Sequence, residues 1–320
     1  MKNKSLKIVA SIILLLLSYG YIIYKVLNFT ELQEINFTYH YYTISDLILL
    51  LSIFILMILN LSLETIKWRL LIRNIQNIKF FTAFKAVLSG ITLGIFTPNR
   101  IGDLGGRVLY LQKGKRTYGL LATGIGSFAQ FLSTIIIGIT GFILFLFAYP
   151  EKSFINPIFN TTTGMVLILV SLILIWIYFN IKNIKPFLIN FSFFKTRENQ
   201  LDYFSETNTK TFLFALLLSI FRYFIFSSQF FLLLVFFDIN LSFIQAFISI
   251  SLVYLFATII PTTTLVELGI RGSLAIFFIG IFSNQVLGIV LSSFFLWLIN
   301  IALPSIMGSI FFIKNRFVKE

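Results

Sequence analysis

The sequence TPNRIGDLGGRVLYLQKGKR, residues 97–116, lies between two apolar segments and differs from both of them. It carries charged side chains at Arg100, Asp103 and Arg107, together with four glycines, a proline and a basic cluster at its end. Charge and backbone irregularity at such a place are typical of a chain that departs from a plain membrane-spanning helix. The rest of the sequence indicates which structure this segment forms in place of a spanning helix.

The composition is that of an integral membrane protein. The 320 residues are 58% hydrophobic and 12% charged, with a mean hydropathy of +0.94, whereas soluble domains are about 25% charged. The excess of 25 Lys and Arg over 12 Asp and Glu is interpreted as cytoplasmic loops facing anionic lipid, and no nucleic-acid partner is expected. With no cysteine and one histidine, disulfides and thiolate metal sites are excluded, and we expect neither metal nor cofactor.

Nine apolar runs predict helical segments. In chain order they are Leu6–Leu27, Ile44–Leu63, Ala83–Thr97, Gly119–Tyr149, Thr163–Phe179, Phe212–Phe237, Phe243–Ile260, Leu265–Phe282 and Gln285–Ile313. Lys and Arg mark the cytoplasmic side of a membrane protein, and both ends of this chain are basic. The predicted location is therefore the cytoplasmic (inner) membrane, with multiple spans and both termini in the cytoplasm.

One segment conflicts with a simple alternation of spans. If Ala83–Thr97 crossed the membrane, the basic cluster at Lys113, Lys115 and Arg116 would lie outside, contrary to the positive-inside rule. The conflict disappears if residues 81–112 form a re-entrant hairpin that enters and leaves by the same face.

Geometry and composition both favour this hairpin. Its return arm is too short to cross a hydrocarbon core of about 30 Å. Gly90 and Gly94 on one arm and Gly102 and Gly106 on the other have the small-xxx-small spacing that lets two helices approach closely.

The second half of the chain repeats the pattern with the opposite orientation. Residues 243–282 must begin and end outside, so they predict a second hairpin, broken at Pro261. Residues 1–149 and 163–313 each then contain two spans, a hairpin and a long span, with a cytoplasmic linker at 180–211. The predicted fold is an all-α polytopic helical bundle with an inverted repeat, about six full spans and two re-entrant hairpins. The alternative is eight plain spans and one unusually charged loop.

Charged residues in the hairpins are candidates for a binding site, since each costs roughly 2.5–3.5 kcal/mol to insert into a membrane. Arg100, Asp103 and Arg107 share one helix face, where Asp103 is placed to bridge both arginines. Glu267 and Arg271 are i, i+4 partners in the second hairpin. These charges either bind a ligand or pin the hairpins together, and the sequence favours neither.

Arg222 is a further candidate, because a mid-span arginine is expected to face a cavity rather than lipid. The hairpin tips offer helix N-termini, which attract anions. The candidate tip residues are Thr97, Pro98, Asn99, Gly102, Pro261, Thr262, Thr263 and Thr264.

Two of these segments resemble a known family. P-x-R-x-G-D-x-x-x-R, from Pro98 to Arg107, resembles a signature of the flippase-like membrane domain of lysylphosphatidylglycerol synthases, and PTTTLVELGIRG, residues 261–272, resembles a later motif of that family. Asp103 replaces the usual Glu, and Gly272 replaces the usual acidic residue after the arginine. The resemblance implies lipid translocation or a related role at the bilayer, and it does not imply lysyl transfer, which in that family belongs to a separate soluble domain.

The leading functional hypothesis is a flippase-like transporter that moves an anionic or polyprenyl-linked lipid between leaflets, with membrane lipid as its partner. One alternative is an intramembrane lipid-modifying transferase, in which Asp103 or Glu267 acts as acid or base. A second alternative is a non-catalytic membrane partner of an envelope glycosyltransferase.

Overall fold

The computed structural model of the chain describes residues 20, 23–24, 43–152, 160–184, 186, 190, 198–260 and 264–317. Within these ranges the secondary structure is helical throughout, with no strand. The predicted first span, Leu6–Leu27, falls almost entirely outside the described residues.

Ten helices are numbered here in chain order. They are α1 (Ile44–Ile72), α2 (Phe80–Ile95), α3 (Ile101–Val108), α4 (Arg116–Ala148), α5 (Asn160–Phe179), α6 (Thr209–Phe236), α7 (Phe243–Ile259), α8 (Thr264–Ile279), α9 (Val286–Trp297) and α10 (Leu303–Phe317). In the described part of the chain, five helical stretches are long and apolar enough to cross a membrane: α1, α4, α5, α6 and the continuous stretch from α9 into α10. The predicted polytopic helical membrane fold is confirmed.

Helices α2 and α3 form a tightly packed pair joined by a short turn. Helix α3 has 8 residues and is therefore about 12 Å long at about 1.5 Å per residue, too short to span. A Cβ on Gly106 would lie 2.6 Å from Gly90 Cα, and one on Gly102 would collide with the Leu93 carbonyl. Gly94 has room for a Cβ at ordinary contact distance. Three of the four predicted glycines are thus at positions of close backbone approach.

The tip of this pair has an unusual backbone. Asn99 and Arg100 are consecutive non-glycine residues in the left-handed region, with φ of 50° and 55°. This conformation costs an L-residue about 1–2 kcal/mol and reverses the chain between the two helices. The hydroxyl of Thr97 accepts a hydrogen bond of 2.7 Å from Gly102 N, in the first turn of α3.

Helices α7 and α8 form the second pair, and the two halves of the chain contact each other reciprocally. Helix α2 of the first pair packs on α10, while α7 of the second pair packs on α4, and α1 packs on α6. Reciprocal packing of this kind is what an internal two-fold axis produces. The division into two inverted repeats, at 1–149 and 163–313, stays a prediction.

The last membrane stretch is not a regular α-helix. A π-helical turn, Leu298–Ala302, joins α9 to α10. Helix α9 packs on α6 and α8, and α10 packs on α2, where Thr92 Oγ1 donates to Ser305 O at 2.7 Å.

Two apolar clusters occupy opposite ends of the bundle. One contains Trp68, Tyr178 and Tyr203, and the other contains Phe145 and Phe230. Buried aromatic hydroxyls in the first cluster have partners; Tyr203 Oη, for example, donates to Leu71 O at 2.9 Å. The polar residues described next lie between these two clusters.

Several predicted boundaries were wrong. The second span was predicted to end at Leu63, but α1 continues to Ile72. Where the structure describes the predicted linker 180–211, it contains short helical turns at Ile181–Ile184, Glu198–Asp202 and Tyr203–Glu206, and its cytoplasmic position stays a prediction. The predicted end at Leu63 was too early because an apolar run is taken to end at its first charged residue. The helix itself continues, since the charges that follow are paired inside the bundle.

Candidate functional site

A cavity of about 370 Å³ lies where the two helix pairs meet the long helices. Residues of α1, α2, α3, α4, α6, α7 and α8 line it, together with the tip of the first pair and the π-helical turn. Arg222 lies close to the middle of α6, so the cavity is at mid-depth in the bundle. The charged side chains on its wall are Glu64, Lys67, Arg100, Asp103, Arg107, Arg222 and Arg271.

Glu64 is the centre of the deeper charge cluster. Its carboxylate contacts Lys67 Nζ at 2.8 Å, Arg107 Nη1 at 2.5 Å, and Arg222 Nη1. Lys67 also donates to Gly126 O at 3.1 Å and to Ser219 Oγ at 3.2 Å. A buried carboxylate among three cations draws α1, α3 and α6 together, since each helix contributes a charge that would be costly without the others.

Asp103 and Arg107 form a bidentate pair on α3. Arg107 Nε donates to Asp103 Oδ1 at 2.8 Å, and Nη2 donates to Oδ2 at 2.5 Å. Fork-like geometry of this kind is the strongest form of an arginine–carboxylate contact. The prediction that Asp103 bridges both arginines was wrong for Arg100, whose guanidinium bonds Glu267 of the second helix pair instead.

Arg222 is held by three acceptors. Besides Glu64, it donates to Asn60 Oδ1 at 2.8 Å and to Gln130 Oε1 at 2.9 Å. These contacts join α6 to α1 and α4. The structure places Arg222 on the cavity wall, in agreement with the prediction that it faces a cavity.

Glu267 joins the two helix pairs. Its Oε2 accepts from Arg100 Nη2 at 3.0 Å and from Arg100 Nε at 3.2 Å. Its Oε1 lies 2.7 Å from Arg271 Nη2. The predicted pairing of Glu267 with Arg271 is confirmed in geometry, and the link from Glu267 to Arg100 of the first pair was not predicted.

The cations differ in how much solvent-accessible surface they keep. The side chains of Lys67 and Arg107 are 1% and 6% exposed, while those of Arg100, Arg222 and Arg271 are 38%, 21% and 23% exposed. The five cations face three carboxylates, those of Glu64, Asp103 and Glu267. The net charge of these eight side chains is therefore +2. The cations that keep the most exposed surface are arginines.

The sequence analysis missed Glu64, Lys67 and Asn60. Glu64 and Lys67 lie just beyond the predicted span Ile44–Leu63 and were therefore not considered as membrane-embedded charges. The signal that identifies them is their i, i+3 spacing followed by Leu70–Ile72, which continues the helical pattern past the charges. Tyr254, a cavity-lining residue of α7, was also not predicted.

The tip residues are described only in part. Asn99 lines the cavity, and Pro98 begins the short helical turn that contains it. Pro261, Thr262 and Thr263 lie outside the described residues, and Thr264 is the first residue of α8. Among the described residues, no three His, Asp or Glu side chains are grouped to hold a metal ion.

Comparison with protein families gives one match of high coverage. The family described as "Lysylphosphatidylglycerol synthase TM region" matches residues 5–303, so the chain belongs to this family. Comparison with curated proteins and with solved structures finds no match. The family and the helical architecture together identify a membrane protein related to lipid handling.

Proposed function

We propose that this family member is a flippase-like lipid transporter, which binds the anionic headgroup of a lipid in the cavity and passes it between leaflets. The observation that carries this proposal is the set of partly exposed arginines, Arg100, Arg222 and Arg271, on the wall of one cavity in a helical membrane bundle. Intramembrane charges are costly, and they are retained mainly where they pair or serve transport.

The charge balance supports an anionic ligand. Five cations and three carboxylates leave two positive charges uncompensated. A phosphodiester contributes one negative charge and a phosphomonoester contributes between one and two. Both the anionic phospholipids and the polyprenyl phosphates satisfy this requirement, and a zwitterionic headgroup does not.

The position of the site also supports transport. In many transporters, discontinuous helices meet near the middle of the bilayer and carry the substrate site at their ends. Here the tip of the α2–α3 pair is joined to α8 through Arg100 and Glu267. The cavity of about 370 Å³ falls within the range of about 300–1,000 Å³ for ligand pockets, which suits a headgroup while the acyl chains remain in the bilayer.

A reconstitution assay tests the proposal. The purified chain is placed in vesicles with a fluorescent phosphatidylglycerol or phosphatidylcholine analogue, and loss of fluorescence is followed after a membrane-impermeant quencher is added. We expect faster exposure of the phosphatidylglycerol analogue, and a decrease of at least about tenfold in Arg100→Gln, since one charge-assisted contact is worth about 1.5–3 kcal/mol.

Lys79→Gln is the matched control, because Lys79 is an exposed cation outside the cavity. It removes the same charge and should leave the rate unchanged. Equal rates for both lipids, or equal losses in the two variants, would contradict transport of an anionic headgroup through this cavity.

We further propose that the protein lies in the inner membrane with both termini in the cytoplasm. The sequence contains no cysteine, so single cysteines are specific labelling sites. A cysteine in place of Lys113 should react with an impermeant maleimide only in inverted vesicles, and one in place of Asp238 only in intact cells. The opposite pattern at these two positions would contradict the proposed orientation. A cysteine in place of Lys79 should react from the same side as one in place of Lys113, and labelling of these two positions from opposite sides would remove the re-entrant hairpin.

A further inference from the structure

The part of the cavity wall formed by α7 and α8 contains polar atoms without partners. Among the described residues, Tyr254 Oη and Arg271 Nε are buried and make no hydrogen bond. Both residues line the same cavity. On the part of the wall formed by α1 and α6, Lys67 and Arg222 each contact three protein groups. The two parts of the wall therefore differ in their unused hydrogen-bonding capacity.

The unused donors are held in fixed positions. Arg271 is anchored through Nη2 to Glu267 at 2.7 Å, and its guanidinium carbon lies 5.9 Å from the ring centroid of Phe226 and 6.0 Å from that of Tyr254. The Tyr254 ring is itself packed against Tyr223 and Phe226, with centroid separations of 5.8 and 5.3 Å. Packing on several sides prevents either side chain from turning away to find another partner.

The position of Arg271 Nε also matters chemically. Because Nη2 is occupied by Glu267, Nε is a separate donor of the same cation, and it has no acceptor among the described residues. A buried donor without an acceptor is unfavourable unless a ligand supplies one. The neighbouring phenol hydroxyl is a second donor, so an oxygen-rich anion satisfies both.

We propose that Tyr254 Oη and Arg271 Nε form a subsite for a phosphoryl group, in which each donates a hydrogen bond to a phosphoryl oxygen of the ligand. The inference rests on the proposed function, since it names the residues that recognise the headgroup in the same cavity. Arg271 supplies charge, and Tyr254 supplies a directional contact with no charge of its own. Tyr254 is accordingly a specificity-determining residue for phosphoryl oxygen.

A ligand-binding role and a structural role for the Tyr254 hydroxyl predict opposite changes in stability. The hydroxyl is buried, and no hydrogen bond to it is found within the described ranges, so its removal deletes an unfavourable group while keeping the ring. Tyr254→Phe should therefore melt at the same or a higher temperature than the wild type in lipid-free detergent. Its affinity for a phosphorylated ligand should fall by about tenfold or more, as expected for a hydrogen bond to a charged acceptor.

The experiment measures both quantities on the full purified chain. Thermal unfolding is recorded without ligand, and binding is measured by calorimetry with dihexanoyl phosphatidic acid, dihexanoyl glycerol and inorganic phosphate. Dihexanoyl glycerol lacks the phosphoryl group and should not bind tightly to either protein. Binding of phosphatidic acid but not of inorganic phosphate assigns the subsite to a lipid headgroup, and equal binding of both assigns it to the phosphoryl group alone.

Tyr203→Phe is the matched control. The Tyr203 hydroxyl is also buried, but it donates to Leu71 O at 2.9 Å and lies outside the cavity. This variant should melt at a lower temperature and bind phosphatidic acid as the wild type does. A Tyr254→Phe variant that binds like the wild type, or that behaves like Tyr203→Phe, would overturn the subsite while leaving anionic lipid binding intact. Failure of the wild type to bind phosphatidic acid would overturn the proposed function as well.

Discussion

Two carboxylates organise the cavity, and they do so differently. Glu64 contacts three cations, and its side chain is 8% exposed. Glu267 contacts two arginines from two different helix pairs, and its side chain is 15% exposed, beside an Arg100 that is 38% exposed. The cations around Glu64 donate hydrogen bonds to several protein acceptors. The arginines around Glu267 keep part of their surface exposed to the cavity.

This difference indicates which charged residues stabilise the fold and which are open to a ligand. A buried carboxylate among three buried or half-buried cations is costly to disturb, because any loss leaves a charge without compensation. A half-exposed pair is worth less to the fold because solvent already screens it. We therefore interpret the Glu64 cluster as structural and the Glu267 cluster as the side that accepts the headgroup.

The strongest way to break this comparison is Glu64→Gln. It leaves Lys67, Arg107 and Arg222 close together without their shared anion, and we expect a loss of about 3–5 kcal/mol in the free energy of unfolding. Unfolding in mixed detergent micelles measures this. Asp103→Asn, which removes a carboxylate with one arginine partner, is the control and should lose less; an equal or larger loss would contradict a central role for Glu64.

A second test separates backbone packing from charge. Gly106→Val adds side-chain atoms where a Cβ alone would lie 2.6 Å from Ser89 O, so α2 and α3 must move apart. The expected loss is about 1–3 kcal/mol, as for other overpacked sites. Gly105→Val is the matched control, since a Cβ at Gly105 meets no atom within 4 Å. If the two variants unfold alike, close approach of α2 and α3 does not contribute to stability.

The Glu267 cluster should respond more weakly, and in a compensating manner. Glu267→Gln should cost about 1–2 kcal/mol, between the values of exposed and buried pairs. Removing Arg271 as well should recover part of this loss, because the stranded cation is gone, while lipid movement stays low. A double-mutant cycle on unfolding free energy tests the pairing, and additive losses would show that the two residues do not stabilise each other.

The smallest effect is expected at Asn300, which lines the cavity from the π-helical turn. Its amide donates to Leu296 O of the same helix at 3.1 Å, so it does not join the two carboxylate clusters. Asn300→Ala should change the free energy of unfolding by no more than about 1 kcal/mol. A loss as large as that of Glu267→Gln would mean that Asn300 belongs to the charge network after all.

Much of this arrangement could be predicted from local sequence. The charges at Arg100, Asp103 and Arg107 and the glycines around them are adjacent in the chain, so their spacing identifies a hairpin and a polar face directly. Glu267 and Arg271 are separated by one helical turn, and their pairing follows from helix geometry. The apolar runs likewise identify the described long helices to within a few residues, except at the end of α1.

The rest depends on contacts between segments far apart in the chain. The partner of Arg100 depends on the position of α8, which carries Glu267, and no local pattern reports that position. Glu64 looks like the first residue of a cytoplasmic loop until Arg107 and Arg222 are seen beside it. Tyr254 is indistinguishable in sequence from the other aromatic residues of an apolar helix, since its lack of a partner is visible only in three dimensions.

The π-helical turn Leu298–Ala302 sets the rotational phase of the last membrane stretch. Each residue of an α-helix turns the chain by about 100°, and a π-turn accommodates one residue more than an α-turn. The face of α10 that meets α2 is therefore offset by about that angle from the face it would present if α9 continued regularly against α6 and α8. A one-residue deletion within the turn would realign the two faces, so this single inserted residue allows one continuous helix to serve two differently oriented neighbours.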